Sequence, residues 1–271
     1  MKITLQSKNM KTQNHPKAGR LFLSACLLFA AVCVSTSTAQ TIYDDFSSGN
    51  LSKWNVESGA GNTYSISGGV LTLNPSANAK YGYSTYTSTK SDFSFARSTG
   101  NPIGVFFDMP ANALVNTTAA AGYEEFTFGM KASSGDTLNA RILWNATSSI
   151  FDIVNNGSLL ARWNQGDLAT INSAGKRFAF EWDGSTANVN LYSSEGVKTG
   201  PFISAAFSAP LFSDSGSIFF QFNTPPGVGI NEASISMDSF GVIPVIPEPS
   251  TAILTATGLF GLLACTRRRR K

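Results

Sequence analysis

The sequence predicts an all-β fold: a single two-sheet antiparallel sandwich, flanked by an N-terminal signal helix and a C-terminal transmembrane helix. Short runs of alternating polar and apolar residues recur through residues 40–242, and aromatic and β-branched residues dominate them. Gly, Asn, Asp and Ser interrupt these runs about every ten residues, as turns do in antiparallel sheets. Uncharged apolar runs near the two ends of the chain account for the two predicted helices.

Residues 1–39 predict a secretory signal peptide. Five Lys or Arg residues and no acidic residue precede the apolar run Leu21–Val34. Small residues follow it in Ser35–Ala39. A basic start, an apolar run and a small-residue cleavage site are the three parts of a signal peptide. We therefore expect export of the protein and cleavage after Ala39.

Eleven alternating runs predict strands in the body, residues 40–242. They are Tyr64–Ile66, Val70–Leu73, Tyr81–Tyr86, Ile103–Phe107, Glu125–Met130, Leu138–Trp144, Ile150–Val154, Arg177–Trp182, Val189–Tyr192, Ser217–Phe222 and Ala233–Met237. Turn signals lie at Ser67–Gly69, Asn155–Gly157, Asp183–Gly184 and Pro225–Gly227. Because no linker or internal repeat divides the body, it is predicted to be one domain.

Residues 243–271 predict a membrane anchor. The stretch Ile243–Ser250 is proline-rich and therefore extended, because each proline fixes φ and disfavours helix in the residue before it. Ser250–Thr266 is uncharged, and its 17 residues measure about 25 Å as a helix, the short limit for a bilayer span. The chain closes on a basic stop that keeps this end in the cytoplasm and the body outside: Arg267, Arg268, Arg269 and Arg270.

The order of these tail features is specific. Pro247, Glu248 and Pro249, followed by the uncharged span and the arginine run, resemble the PEP-CTERM sorting signal of Gram-negative bacteria. The resemblance implies processing by an exosortase after transport by the secretion machinery, with transient anchoring in the inner membrane. It also implies a final location at the cell surface or in an exopolysaccharide or biofilm matrix. The alternative is an ordinary single-pass anchor.

Composition excludes several classes of function. The whole chain has a formal charge of +3, but residues 40–246 hold 10 Lys or Arg against 16 Asp or Glu. The cations of this stretch are scattered, without the basic stripe that contact with phosphates requires, so we expect no nucleic acid partner. Cys26, Cys33 and Cys265 lie in the end segments, as does His15. The body therefore has no thiol nucleophile, no Ser-His-Asp triad and no His- or Cys-ligated zinc.

A second resemblance covers parts of the body. Tyr43–Trp54 with Tyr64–Leu73, then Phe178–Tyr192 and Ile235–Phe240, resemble segments of concanavalin A-like jelly rolls. That group includes laminin-G-like modules and family 16 glycoside hydrolases. The resemblance implies a jelly-roll sandwich whose closing strand pairs beside the first. A Phe and a Trp eight residues apart around a glycine turn, Phe46 and Trp54, are expected to anchor the first strand to the core.

The same resemblance supplies a test for catalysis. Family 16 enzymes carry Glu-x-Asp-x-Glu or Glu-x-Asp-x-x-Glu on one strand. Glu181-Trp-Asp183 begins that pattern, but no second Glu follows. We expect Glu181 to face solvent and Asp183 to start a turn. Glu124 and Glu125 are adjacent and so point to opposite faces of a strand. We therefore expect a non-catalytic protein; the alternative is a secreted glycoside hydrolase or lyase with a carboxylate or tyrosine site.

Two kinds of binding residue remain. Exposed aromatic side chains stack on sugar rings, and the candidates are Trp144, Trp163 and Tyr83, each with core packing as its alternative. Asp44 and Asp238 lie where the first and last strands should meet and could hold calcium through their oxygens. We expect no other cofactor. The prediction is an exported surface or matrix protein that binds extracellular polysaccharide.

Overall fold

The computed structural model describes residues 40–59, 62–74, 82–95, 102–116, 123–172, 176–192, 198–206, 215–224 and 233–243. The predicted signal peptide, the Pro247–Pro249 sorting motif and the basic stop at Arg267–Arg270 lie outside these ranges, as does the turn predicted at Pro225–Gly227. In the part of the chain that the structure does describe, no helix is long and apolar enough to cross a bilayer.

The described residues form strands almost throughout. The strands are β1 (Thr41–Asp44), β2 (Trp54–Ser58), β3 (Thr63–Ser67), β4 (Val70–Asn74), β5 (Gly82–Ser88), β6 (Phe93–Ser94), β7 (Ile103–Met109), β8 (Leu114–Val115), β9 (Glu124–Ala132), β10 (Thr137–Trp144), β11 (Ser148–Asn155), β12 (Ser158–Asp167), β13 (Lys176–Trp182), β14 (Thr186–Tyr192), β15 (Lys198–Ala206), β16 (Ser215–Thr224), β17 (Ser234–Met237) and β18 (Ser239–Ile243). A five-residue helical turn, α1 (Leu168–Asn172), lies between β12 and β13. All eleven predicted runs overlap one of these strands.

The strands form three antiparallel sheets. The back sheet has six strands in the order β1-β18-β7-β13-β14-β15. The front sheet follows the order β12-β11-β10-β9-β16-β5-β2, and β6 pairs with β16 beside this path. A small sheet has the order β3-β4-β17-β8. The prediction of an all-β, antiparallel fold is confirmed, but the prediction counted two sheets and did not include the small one.

Aromatic side chains fill the space between the front and back sheets. Phe107 of the back sheet meets Phe126 and Phe128 of the front sheet edge-on, at ring-centroid distances of 5.1 and 4.9 Å. Farther along, Phe220 of the front sheet lies 5.2 Å from Phe240 of the back sheet. All five rings are fully buried. The two sheets therefore pack face to face, and the burial of these rings is the main stabilising term of the sandwich.

The first and last strands pair as the second resemblance implied. Ile42 of β1 lies opposite Gly241 of β18 in antiparallel register. Phe46 and Trp54 flank the turn after β1, and both are buried. The Trp54 ring lies 4.7 Å from Phe220 and 5.5 Å from the Phe240 ring, so it reaches both sheets. The expected anchoring of the first strand is confirmed.

Two of the predicted turns show the backbone that tight hairpins need. Gly68 and Gly69 join β3 to β4 with φ of 61° and 82°, and Asn156 and Gly157 join β11 to β12 with φ of 47° and 79°. Positive φ at both central residues gives the twist that two-residue hairpins favour. The third turn forms at Asp183, whose Oδ1 accepts hydrogen bonds from nearby backbone N–H groups, as the sequence predicted.

Candidate functional site

The outer side of the front sheet, called here the front face, carries a continuous line of polar side chains. Successive residues of a strand point to opposite sides, so residues in cross-strand register share one face. Seven such residues, one from each strand of the front-sheet path, form what we call the polar row: Glu57, Thr85, Gln221, Thr127, Arg141, Asp152 and Arg162. Six strand spacings of about 4.8 Å make this row about 29 Å long.

Asp152 is the fixed point of the polar row. Its side chain is fully buried, although it lies on the outer face of the sheet. Arg141 donates to Oδ2 from Nε at 3.0 Å and from Nη2 at 2.6 Å. Arg162 donates from Nε to Oδ1 at 2.7 Å and from Nη2 to Oδ2 at 2.8 Å. Burial raises the pKa of Asp152, but the hydrogen bonds and charges of the two guanidiniums outweigh burial and hold the pKa below its ordinary value.

Glu125 lies on the front face beside this cluster. Arg141 Nη1 is 3.4 Å from its Oε2, a longer contact than the bonds between Arg141 and Asp152. Thr127 donates from Oγ1 to Glu125 Oε1 at 3.3 Å. Burial raises the pKa of Glu125, because the positive charge of Arg141 only partly offsets the loss of water around the carboxylate. Glu125 is thus the less firmly ionised of the two carboxylates.

Tyr83 extends the front face toward β5. Its side chain is 43% exposed, and it lies opposite Asn223, which in turn lies opposite Glu125. Tyr86, three residues later on the same strand, is buried in the core. Of the three predicted sugar-stacking residues, Tyr83 is the one that the structure places in solvent beside polar side chains.

The other two predicted aromatic residues point to the opposite side of the front sheet. Trp144 is fully buried, and its Nε1–H donates to the carbonyl oxygen of Val115 at 3.1 Å. Trp163 is half-buried and meets Phe151 of the core edge-on, at 5.7 Å between ring centroids. Both predictions are wrong for a physical reason. Trp144 lies three positions after Arg141 and Trp163 one position after Arg162. These odd offsets from the outward-pointing arginines place both tryptophans on the core side.

Asp44, one of the two predicted calcium ligands, already accepts hydrogen bonds from protein donors. Asp44 is buried; its Oδ2 accepts a hydrogen bond from Trp54 Nε1 at 2.7 Å, and its Oδ1 accepts one from the N–H of Phe46 at 3.1 Å. Its carboxylate therefore fixes the Trp54 turn and offers no free pair of oxygens to a cation. Asp238 lies in the bend between β17 and β18, and burial raises its pKa, with a further contribution from the charge of Asp108. The calcium site stays a prediction.

The remaining carboxylates separate onto different faces. Glu124 and Glu125 point to opposite sides of β9, as expected: Glu124 is buried on the core side. Glu181 does not face solvent, contrary to expectation. It is buried on the outer side of the back sheet, where it accepts a hydrogen bond from the hydroxyl of Tyr192. Glu181 and Glu125 are therefore on opposite outer faces of the sandwich.

Arg141, Asp152 and Arg162 were not among the predicted site residues. Arg141 and Asp152 occupy outward positions of predicted runs, so their place on the outer face could have been predicted, whereas Arg162 lies on β12, which the sequence did not predict. Their meeting in one cluster depends on the pairing register of β10, β11 and β12. Register follows from the whole core and the turns, and a single strand does not reveal it.

Comparison with known proteins bears on the fold. No protein-family model matches the chain, and no match is found among curated proteins. An endo-1,3-β-glucanase from Streptomyces sioyaensis is similar in structure, with a TM-score of 0.53 and 14% identity over 76% of this chain and 96% of the glucanase. The galactose-bound lectin UEA-II is also similar, with a TM-score of 0.50 and 11% identity over 77% of this chain and 99% of the lectin.

The fold is a jelly-roll sandwich similar to those of the glucanase and the lectin. Identities of 14% and 11% show a shared architecture and nothing finer. The architecture that the second resemblance implied is thereby confirmed, whereas the sorting signal lies outside the part of the chain that the structure describes.

Proposed function

We propose that this chain is an exported surface or matrix protein whose front face binds carbohydrate without cleaving it. The observation that carries the proposal is the polar row, which crosses seven strands and lies beside the exposed ring of Tyr83. Hydroxyl, amide and charged groups along it can bond to sugar hydroxyls, and an exposed aromatic ring can cover the apolar face of a sugar. The glucanase and the lectin of similar fold act on or bind sugars, which agrees with the proposal.

The length of the polar row favours a polymer over a single sugar. About 29 Å of aligned side chains exceeds what one or two sugar rings can contact. Rigid strands carry these side chains, so little ordering is required when a ligand binds. We expect an extended chain of sugars to cross the strands of the front sheet.

Carboxylate geometry supports binding without hydrolysis. Glycoside hydrolysis requires two carboxyl groups about 5 to 9 Å apart, of which one must be protonated. The outward residues of β9 on the front face are Glu125, Thr127 and Gly129, so this strand provides one carboxylate there. Of the two carboxylates in the polar row, Glu57 is three strands away from β9, and Asp152, two strands away, is held ionised by two guanidiniums. The pair of Glu125 and Asp152 lacks a second group free to exchange a proton.

One observation favours hydrolysis as the second candidate function. Glu125 has a raised pKa on the front face, and a carboxyl group in that state can act as a general acid. Release of reducing ends from a β-glucan by the purified protein, abolished in Glu125→Gln, would establish hydrolysis. If the protein still binds the polymer but releases no reducing ends even at high protein concentration, binding without hydrolysis is supported.

Tyr83 provides the test of binding. Replacement by alanine removes the stacking surface, and we expect polymer affinity to fall by about tenfold in affinity gel electrophoresis of the full-length protein in detergent. Tyr64→Ala is the matched control, because Tyr64 is 48% exposed but lies on β3 of the small sheet. An equal loss of polymer affinity in both variants, or no loss in either, would contradict a role for the front face.

Export and sorting are the other part of the proposal. The signal-peptide pattern, the Pro247–Pro249 motif, the uncharged span and the basic stop support processing by an exosortase and release toward an exopolysaccharide. Replacing Pro247, Glu248 and Pro249 by alanine should leave the unprocessed protein in the inner membrane, as fractionation and immunoblotting would show. Normal processing of this variant would contradict the sorting proposal and leave the binding proposal intact.

A further inference from the structure

Two guanidiniums converge on one carboxylate at the β10–β12 end of the front face. Arg141 alone gives Asp152 two hydrogen bonds and a balancing charge. Arg162 adds two more hydrogen bonds and a second positive charge. Asp152 and its two arginines thus carry one excess positive charge, and Glu125 faces this cluster at Arg141, at 3.4 Å.

We propose that the front face selects anionic glycans, polymers with carboxylate or sulfate groups, and that Arg162 binds the anionic group. The inference rests on the carbohydrate binding proposed above and specifies the class of polymer. Arg162 has five N–H donors, of which its hydrogen bonds to Asp152 use one from Nε and one from Nη2. Among the described residues, no acceptor contacts its Nη1. Its side chain is 39% exposed on β12, the last strand of the front-sheet path.

The guanidinium of Arg162 is held in place before a ligand arrives. Its paired bonds to Asp152 fix the plane of the group, and Asp152 is fixed by Arg141 in turn. A planar, oriented guanidinium matches the two oxygens of a carboxylate or sulfate. An anion bound at Arg162 would complete an arrangement of alternating charges in which two guanidiniums lie between two anions.

Neighbouring side chains support the same sign of ligand. Lys131 is exposed on β9 at an outward position, two residues beyond Gly129. Together with Arg141 and Arg162 it places three cations on this half of the front face, against Glu125 and Asp152 among the described side chains. The carboxylate of Glu125 forms its ion pair with Arg141, with 3.4 Å between Oε2 and Nη1.

The test measures polymer affinity of the full-length protein in detergent by affinity gel electrophoresis. The probes are polygalacturonate, a sulfated galactan and two neutral polymers, a β-1,3-glucan and a mannan. We expect at least one of the two anionic polymers to bind about tenfold more tightly than either neutral one. The advantage should shrink as salt is raised from about 0.05 to 0.5 M. The carboxylate and sulfate arms identify which anionic group is preferred.

Variants of Arg162 locate the effect. Arg162→Gln should lose about tenfold in anionic-polymer affinity, and Arg162→Lys should recover only part of it because an ammonium lacks the planar fork. Arg177→Gln is the matched control: Arg177 forms the same two-bond pair with Asp108, but on the back sheet. Circular dichroism and melting curves identify any variant that is unfolded. If Arg162→Gln is unfolded, the salt dependence of the wild-type affinity for anionic polymers tests the proposal instead.

The outcomes separate the two proposals. Binding of a neutral polymer as tight as that of both anionic ones, or full anionic affinity in a folded Arg162→Gln, overturns the selection of anions and leaves carbohydrate binding standing. Retention of none of the four polymers overturns both proposals. Anionic preference that is lost in Arg162→Gln and kept in Arg177→Gln supports both.

Discussion

Glu124 is a buried carboxyl group whose environment the protein only partly satisfies. It begins β9 on the core side, is 2% exposed, and its Oε2 has no hydrogen-bond partner among the described residues. Burial raises its pKa to about 7, opposed only by the nearby hydroxyl of Thr224. The neutral form is therefore the stable one in the folded protein below neutral pH.

This environment predicts a pH-dependent stability. The pKa of Glu124 is about 7 in the folded protein, above its ordinary value of 4.5. The free energy of unfolding therefore decreases as pH rises from the ordinary pKa to the folded-state pKa, and it levels off at higher pH. We expect a loss of about 2 kcal/mol after allowance for screening. Urea unfolding at pH 5 and pH 8 measures it.

Glu124→Gln should flatten that dependence, because the amide cannot ionise. Glu57→Gln, at an exposed position of β2, is the control and should keep the wild-type slope. A Glu124→Gln variant that loses as much stability between pH 5 and pH 8 as the wild type would show that another group titrates in this range.

At the scale of elements, the contact between β9 and β10 limits what the front face can carry. Gly129 lies opposite Asn139, and a Cβ built at Gly129 would overlap Asn139 and the carbonyl oxygen of Leu138. This is the third outward position of β9 after Glu125 and Thr127. A further carboxylate on the outward side of β9, at alternate residues of the strand, would stand at this position. The backbone leaves no room for a side chain there.

Gly129→Ala should therefore lower the free energy of unfolding by about 2 kcal/mol through displacement of β10. Gly135→Ala is the comparison: the space around that glycine is open, but its φ is 96°, so only backbone strain of about 1 kcal/mol is expected. Chemical denaturation of both variants tests the difference. An equal or smaller effect at Gly129 would mean that β10 yields easily to an added methyl group.

Alternation predicted the elements that have one side in the core, and it failed where the alternation is broken. Parity placed Glu124 and Glu125 on opposite faces, and the same rule, applied to β10, would have put Trp144 in the core. Sequence analysis did not identify β12, because Leu159-Leu-Ala161 interrupts the period and the pairing with β11 contains a register shift there. It did not identify β15 either, whose Gly200-Pro201 is atypical of a strand interior.

The charged cluster was beyond prediction for a different reason. Its members come from three strands, and only the register of strand pairing brings Arg141, Asp152 and Arg162 together. The small sheet is similar: β8 has two residues and pairs with β17, more than a hundred residues later in the chain. Contacts of this range depend on the complete core.

At the scale of the whole molecule, the proposed sorting requires that the body work while it is attached at an end. We predict that a small globular protein fused after Ile243 leaves polymer affinity within about twofold of the wild type. Ile243 ends β18 in the back sheet, away from the polar row. The same protein inserted between Asn156 and Gly157, at the turn that leads into the strand of Arg162, should lower affinity by about tenfold.

Affinity gel electrophoresis of the two fusions in parallel makes this comparison, with melting curves to show that both are folded. Loss of binding in the fusion after Ile243 alone would place the binding surface near the back sheet instead.

The pairing of β1 with β18 has a consequence for how such a protein is displayed. The body enters at Thr41 and leaves at Ile243 on two neighbouring strands of one sheet, and the other sheet bears the polar row. Both ends of the described body thus lie in the sheet opposite the polar row. The sorting tail proposed above would therefore begin, after Ile243, at the sheet that does not bear the polar row.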